Sequence, residues 1–337
     1  MLVDTYHRSL KDLRISVTDR CNFRCSYCMP FDEYIWIEKR EILTFEEIER
    51  LARVFVKLGV ERIRLTGGEP LLRQDLHKLV GSLATIRGLQ DLCLTTNGAY
   101  LARQAVALKA AGLKRINVSL DTLDHDTFKK IVKRGNLDKV LEGLFAARDQ
   151  GFQPIKINTV IERDVNDGEI LQLVKFSRTH GFNLRFIEYM DVGNSNSWKS
   201  QKMLTKEEIL DKIQPVFPIK ELGRNEGRAP AVDYQFRDGE GYIGFIASVT
   251  DPFCSGCTRA RLTADGKFVT CLFSEVGHDL KTPLRQGASD QEIEDRMMNV
   301  WEQRSDRYSE VRLEALRSEE GYNAGDHKKI EMISLGG

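Results

Sequence analysis

The chain has 337 residues, in which lysine plus arginine and aspartate plus glutamate each number 50, so no global field exists to hold nucleic acid or an anionic membrane. With 41% hydrophobic and 30% charged residues the composition is that of a soluble globular protein, too long for one ordinary small core. No apolar run approaches the ~18 residues of a membrane span, and the start at 1–13 has no signal-peptide core, so no membrane partner and a cytoplasmic location are expected.

Short β-rich runs fall at 13–18, 62–66, 91–96, 115–120, 155–161 and 183–189, separated by stretches with helical periodicity. The longest connection leads to a helix that Thr44 opens as N-cap, with Glu46 and Glu47 in its first turn. Further helices are expected at 75–86, 100–111, 137–150 and 167–180. Such strand-helix repetition implies parallel strands with right-handed crossovers, hence an α/β fold with a closed or partial barrel. Past a polar loop at 191–201, the sequence predicts a helix at 205–213 and a Gly-rich connector through Pro230. Strands at 232–236 and 242–247 follow, then a hairpin of 259–263 and 267–273 around Asp265-Gly266. Helices at 289–304 and 308–318 precede a tail closing on Gly336-Gly337. The expected division is 5–223 for a core domain and 224–337 for a C-terminal α+β region.

Alternation along the strands adds a second signal. Arg14 and Ser16, Arg64 and Thr66, Asn117 and Ser119, and Lys156 and Asn158 each share a face opposite aliphatic residues such as Ile63 and Leu65. A barrel whose outer face packs on helices turns its other face into the lumen. Polar groups buried there without partners would cost several kcal/mol each, so the lumen is expected to hold water and a polar, partly anionic ligand. The alternative is a sheet covered by helices on one side only. The strand ends, where a parallel barrel places its chemistry, carry Gly67-Gly68-Glu69-Pro70, Thr95-Thr96-Asn97-Gly98, Ser119-Leu120-Asp121 and Glu188-Tyr189-Met190.

Six of the seven cysteines form two triads, and Cys93 stands alone in an apolar run as a small buried hydrophobe. Cys21, Cys25 and Cys28 have C-x3-C-x2-C spacing, which can hold an iron-sulfur cube by three corners and leave one iron open. A zinc knuckle would want a fourth ligand close by, and none follows. The second triad is Cys254, Cys257 and Cys271. A zinc site completed by His278 and a second open cluster both satisfy its spacing. Arg259 and Arg261, one residue apart on an expected strand, point the same way. Their guanidinium forks suit a phosphate chain.

The first triad, with Tyr27 before its last cysteine and the Gly67-Gly68-Glu69-Pro70 turn one strand-helix unit later, resembles the radical S-adenosylmethionine (SAM) enzymes. Adding Cys254, Cys257, Cys271, Thr258-Arg259-Ala260-Arg261 and the terminal glycines, essentially the whole chain resembles the GTP 3',8-cyclases of molybdenum cofactor biosynthesis. The resemblance implies a partial (βα)6 barrel closed by the C-terminal region and two [4Fe-4S] clusters, held by Cys21, Cys25 and Cys28 and by Cys254, Cys257 and Cys271. It assigns SAM contacts to Tyr27, Gly68, Ser119 and Met190. GTP contacts go to Arg14, Arg64, Thr95, Lys156, Arg259 and Arg261, with Arg185 as a further candidate, and catalytic roles go to Arg259, Arg261, Gly336 and Gly337.

The implied reaction is reductive cleavage of SAM to a 5'-deoxyadenosyl radical, removal of the 3' hydrogen of GTP, and attack of C3' on C8. The implied partners are an electron donor and the cyclic pyranopterin monophosphate synthase that acts on the product, with homodimerisation left open. Another radical SAM enzyme with an auxiliary cluster, such as a peptide modifier, and a zinc-stabilised binding module are the rival readings.

Overall fold

The computed structural model describes residues 2–336 other than Ser197, Arg228, Glu319 and Glu320; the expected site residue Gly337 lies outside the described residues. The first half alternates strands and helices as the periodicity requires. The strands are β1 (Asp12–Ser16), β2 (Arg62–Thr66), β3 (Asp91–Thr96), β4 (Arg115–Ser119), β5 (Ile155–Ile161) and β6 (Asn183–Glu188). The helices are α1 (Phe45–Lys57), α2 (Leu76–Ala84), α3 (Leu101–Ala110), α4 (His125–Val132), α5 (Leu137–Asp149) and α6 (Ile170–His180). Thr44 caps α1 as expected: its hydroxyl accepts from Glu47 N at 3.2 Å while Thr44 N donates to the Glu47 carboxylate at 2.8 Å.

The second half supplies α7 (Lys206–Ile213), then strands β7 (Ile219–Arg224), β8 (Val232–Phe236), β9 (Tyr242–Ile246), β10 (Arg259–Leu262), β11 (Lys267–Val269) and β12 (His278–Asp279). Helices α8 (Lys281–Arg285), α9 (Asp290–Glu302), α10 (Tyr308–Arg317) and α11 (Met332–Leu335) complete the chain. Among the described residues all twelve strands join one sheet in the order β12-β11-β10-β1-β2-β3-β4-β5-β6-β9-β8-β7. The C-terminal region therefore continues the barrel wall at both ends. Strand β10 pairs in parallel with β1, and β9 in parallel with β6, so the parallel part runs from β10 to β9.

The outward faces of β1 and β2, with Leu13, Ile15, Ile63 and Leu65, are buried beneath helices in one continuous hydrophobic cluster. Removing each such side chain from water contributes ~1.5–3 kcal/mol, as an upper estimate.

Several local expectations change. The connector before Pro230 contains β7, an edge strand with a bulge between Glu221 and Gly223; its middle is exposed, so no apolar alternation announces it. Helix α4 was not anticipated; Asp124 caps it by accepting from Thr127 N at 2.8 Å. Strand β1 stops at Ser16 and β11 at Val269, which leaves Cys271 on a turn rather than on the strand expected over 267–273. His278 lies on the outermost strand and is exposed.

Candidate active site

The loops at the C-terminal ends of the parallel strands and the strand faces beneath them enclose one cavity of about 330 Å³. Both cysteine triads line it, and among the described residues all of these thiols are free. The chain around the first triad is folded tightly. Cys28 N and Met29 N both donate to Cys25 O, at 3.1 and 2.8 Å, while Cys21 Sγ accepts from Phe23 N at 3.4 Å and from Asn97 Nδ2 at 3.9 Å. Donors aimed at sulfur belong to the environment of thiolate-held clusters. Burial pushes the Cys21 thiol up to about 11 and Cys28 up to about 12, so without a metal these sulfurs stay protonated. Among the described residues, no group of three or more His, Cys, Asp or Glu side chains is placed to share one ion. His278 is not part of the cavity lining.

The second triad has a different electrostatic setting. Burial alone would push Cys257 up, but Arg259 and Arg304 outweigh it and hold the thiol at about 6. Arg259 Nη2 lies 3.3 Å from Cys257 Sγ, with its guanidinium 4.7 Å from the Phe253 ring. Burial pushes Cys271 up to about 12. Arg8 binds Cys254 O at 2.8 Å and Arg304 binds Cys257 O at 2.9 Å, which fixes the turn from behind.

The Gly67-Gly68-Glu69-Pro70 turn holds the first triad in place. A Cβ on Gly68 would sit 2.3 Å from Arg20 O, and Gly68 N and Glu69 N donate to Thr18 O and Arg20 O, each at 2.8 Å. The sequence reading assigned glycine here to close approach of a ligand; the tight contact is with the backbone leading into Cys21, although Gly68 also lines the cavity. Glu69 is fully buried and accepts from Leu71 N, Thr96 Oγ1 and Asn97 N at 2.7–2.9 Å. Burial pushes its carboxyl up to about 7. Tyr27 donates to Asp121 Oδ2 at 2.7 Å, and burial pushes that carboxyl up to about 6. In the sequence Glu69 and Asp121 stand out only as members of their strand-end motifs. Only the tertiary structure reveals that they tie the cysteine loop to the ends of β3 and β4.

Register places the arginines. Arg14 pairs with Arg64 across β1 and β2 and with Arg261 across β1 and β10. Three guanidinium side chains thus stand at one level on adjacent strands, which lie ~4.8 Å apart in a sheet. All three line the cavity, as does Arg259. Burial first, and then the charges of Arg261, Arg64 and Arg259, hold Arg14 well below the usual arginine range. Tyr27, Ser119, Met190, Thr95 and Arg185 also reach the cavity lining. Lys156 is outside that lining. Burial, followed by the charge of Arg185, lowers it to about 7. Among the described residues Thr95 Oγ1 and Asn158 Oδ1, both on the cavity lining, are buried without hydrogen-bond partners, which fits a lumen built for a polar ligand.

Residues 15–177 match the Radical SAM superfamily and residues 182–310 match Molybdenum Cofactor Synthesis C. The chain is 46% identical to the GTP 3',8-cyclase of Acidothermus cellulolyticus, covering 99% of this chain and 98% of that protein. It is 45% identical to the GTP 3',8-cyclase of Aquifex aeolicus over 100% of both. The chain belongs to the GTP 3',8-cyclase family of molybdenum cofactor biosynthesis. Its fold also matches SAM-bound SuiB of Streptococcus suis, with a TM-score of 0.63 at 15% identity, covering 93% of this chain and 70% of SuiB. As a radical SAM enzyme, the cyclase uses a [4Fe-4S] cluster and SAM. No helix among its described residues is long and apolar enough to cross a membrane.

Beside this cavity the cyclase has a buried ionic hub that sequence periodicity did not reveal. Asp191, immediately after Met190, meets Arg312, Tyr322, Tyr308 (2.7 Å) and Lys329 (3.1 Å). Arg312 also donates to Ser248 O at 2.6 Å. Asn194 then pairs with the backbone of Lys329 and with Glu331, which anchors the segment entering α11. Beyond α11, Gly336 packs against Thr66 and Gly67.

Proposed function

We propose that the chain converts GTP to (8S)-3',8-cyclo-7,8-dihydroguanosine 5'-triphosphate, with SAM on the side of the first triad and GTP between the arginine row and the second triad. Cys21, Cys25 and Cys28 fit one [4Fe-4S] cluster and Cys254, Cys257 and Cys271 fit a second, because each set offers free thiols to the same cavity. A cluster held by Cys21, Cys25 and Cys28, with SAM bound, would supply the radical chemistry that removal of the 3' hydrogen of GTP requires.

The protein's own part is placement. Tyr27, Gly68, Ser119 and Met190 line the SAM side, with Tyr27 fixed by Asp121. Arg14, Arg64, Thr95, Arg185, Arg259 and Arg261 hold the triphosphate and base, with Lys156 adding its charge from outside the lining beside Arg185, so that C3' and C8 stay within bonding reach. Such positioning contributes several kcal/mol to a unimolecular closure. Gly336 closes the cavity beside Thr66, and Gly337 keeps the catalytic role that the family resemblance implies.

The observation that carries this reading is the row Arg261, Arg14, Arg64. Like charges at one register level repel, and a polyanion between them turns that repulsion into binding. Neither a peptide modifier nor a zinc-stabilised module has use for it.

The test mixes reconstituted protein, SAM and a reductant with each nucleoside triphosphate in turn and measures 5'-deoxyadenosine and nucleotide product. GTP should stand alone in giving cyclised product. Equal turnover with ATP or CTP would refute the substrate, and zinc without sulfide in anaerobically purified protein would refute both clusters.

A further inference from the structure

The cysteines of the first triad are only partly buried, and their loop packs on α4. The backbone of Arg24 and Ser26 donates to Val132 O and Ile131 O at 3.1 and 2.8 Å, so the cysteine loop is bound edge-on to the last turn of α4. Phe128 and Val132 face the cavity beside Cys25 and Cys28. The other side of that same turn is exposed and basic: Lys129, Lys130, Lys133 and Arg134. Asp126 takes Lys129 at 3.3 Å and Asp32 takes Arg134 at 3.6 Å, both on the open surface, where such pairs hold weakly. Lys133 Nζ donates to Pro30 O at 2.7 Å, which ties this strip to the segment that follows Cys28.

That segment forms an aromatic flap. Phe31, Tyr34 and Trp36 contact one another in sequence, with ring centroids 6.1 and 5.8 Å apart. The Arg24 guanidinium lies 5.4 Å from the Tyr34 ring and 5.5 Å from that of Trp36, and donates to Cys21 O and Phe23 O at 3.0 and 2.8 Å. At the outer edge Phe31 is 57% and Ile35 103% exposed. An apolar tip beside a cationic strip has the form of an interface core with a charged rim. It sits on the loop whose sulfurs must receive an electron from outside the chain.

We propose that this surface is the docking site for a small acidic one-electron carrier protein. Ile35 and Phe31 bury against the apolar rim of the carrier's redox group, while Lys129, Lys130 and Arg134 meet its carboxylates and steer the encounter. In the step itself the carrier is oxidised by one electron and the cluster held by Cys21, Cys25 and Cys28 is reduced by one; no bond forms or breaks and no proton moves. The inference rests on the assignment of that triad given above.

The experiment uses the reconstituted holoenzyme with an acidic flavodoxin, in its two-electron-reduced form, as the probe. Affinity is measured by calorimetry at two salt concentrations, and cyclised product is measured with either flavodoxin or dithionite as reductant. The double variant K130E/R134E should weaken flavodoxin binding at least tenfold and flatten its salt dependence, and Ile35→Ser should weaken it with the salt dependence intact. Both variants should keep wild-type turnover with dithionite, a small reductant that needs no docking surface. Unchanged flavodoxin affinity in both variants would overturn the proposal. So would an equal loss of the dithionite-driven reaction, because the surface would then serve the loop's fold. Wild-type protein that forms no 5'-deoxyadenosine with dithionite would overturn the reading of the triad itself, and the docking site with it.

Discussion

The guanidinium of Arg261 donates to the carbonyl oxygen of Gly336 at 3.3 Å, so a strand beside the second triad meets the last described residue of the chain. Arg259, two positions earlier, turns instead to Cys257 Sγ. The paired arginines share a direction but divide their work between the tail and the second triad.

Gly336→Ala would place a methyl group 2.1 Å from Thr66 Oγ1, at a φ of +73° that side chains avoid. We expect cyclised product to fall about tenfold or more, equivalent to ~1.4 kcal/mol or more of transition-state stabilisation. Formation of 5'-deoxyadenosine should persist. Parallel loss of both products would mean that the tail supports the SAM side as well.

Arg14→Ala removes the middle of the row formed with Arg64 and Arg261. Two opposite changes are expected in one variant. The KM for GTP should rise by about tenfold or more, as loss of a charge-assisted contact to phosphate predicts. Without GTP the variant should melt no lower than wild type, because like-charge repulsion and the desolvation of a buried cation are relieved. A large fall in melting temperature would show that Arg14 is a structural residue.

Lys156 is lowered to about 7, chiefly by burial and then by Arg185 and Arg115. A triphosphate favours its charged form, so GTP binding takes up a proton at this site above pH 7. We expect the KM for GTP to rise with pH above about 7, approaching tenfold per unit where the free enzyme has lost the proton and the complex retains it. Lys156→Met should raise KM at pH 6.5 and remove that slope. A slope preserved in the variant would assign the titration to another group.

Asp191→Asn breaks the hub with Arg312 and Lys329. Burial pushes the Asp191 carboxyl up, but Arg312, the tyrosines and Lys329 outweigh it and hold it below the usual range. Its stabilisation is therefore complete above pH ~4 and is lost as pH falls through the lower folded-state value. At pH 7 the substitution should cost about 3 kcal/mol or more, since it leaves buried cations without their counter-charge. Thermal melting at pH 7 and pH 3 would check this: the gap between wild type and variant should narrow at the lower pH.

Much of the architecture was legible because period and chemistry agreed. Ranges 62–66, 91–96 and 155–161 match β2, β3 and β5 residue for residue, and the polar face carrying Arg14, Arg64 and Ser119 does turn into the cavity. What was not legible depends on partners distant in sequence. No local pattern announces that β10 lies beside β1, yet that pairing brings Arg261 level with Arg14. Asp191, Arg312 and Lys329 are ordinary surface residue types whose burial follows only from packing of α10 and the tail. Strand β7 looks like connector in the sequence because an exposed edge strand has little apolar alternation to show.

The pairing of β9 with β6 and of β10 with β1 also bears on how the chain reaches its native state. On a ribosome, β1 to β6 are complete once Glu188 has emerged, but their two flanks lack neighbours until Tyr242–Ile246 and Arg259–Leu262 are made. During that interval both unpaired edges are open to other chains. Nascent protein that stalls between these points would be the species most in need of a chaperone.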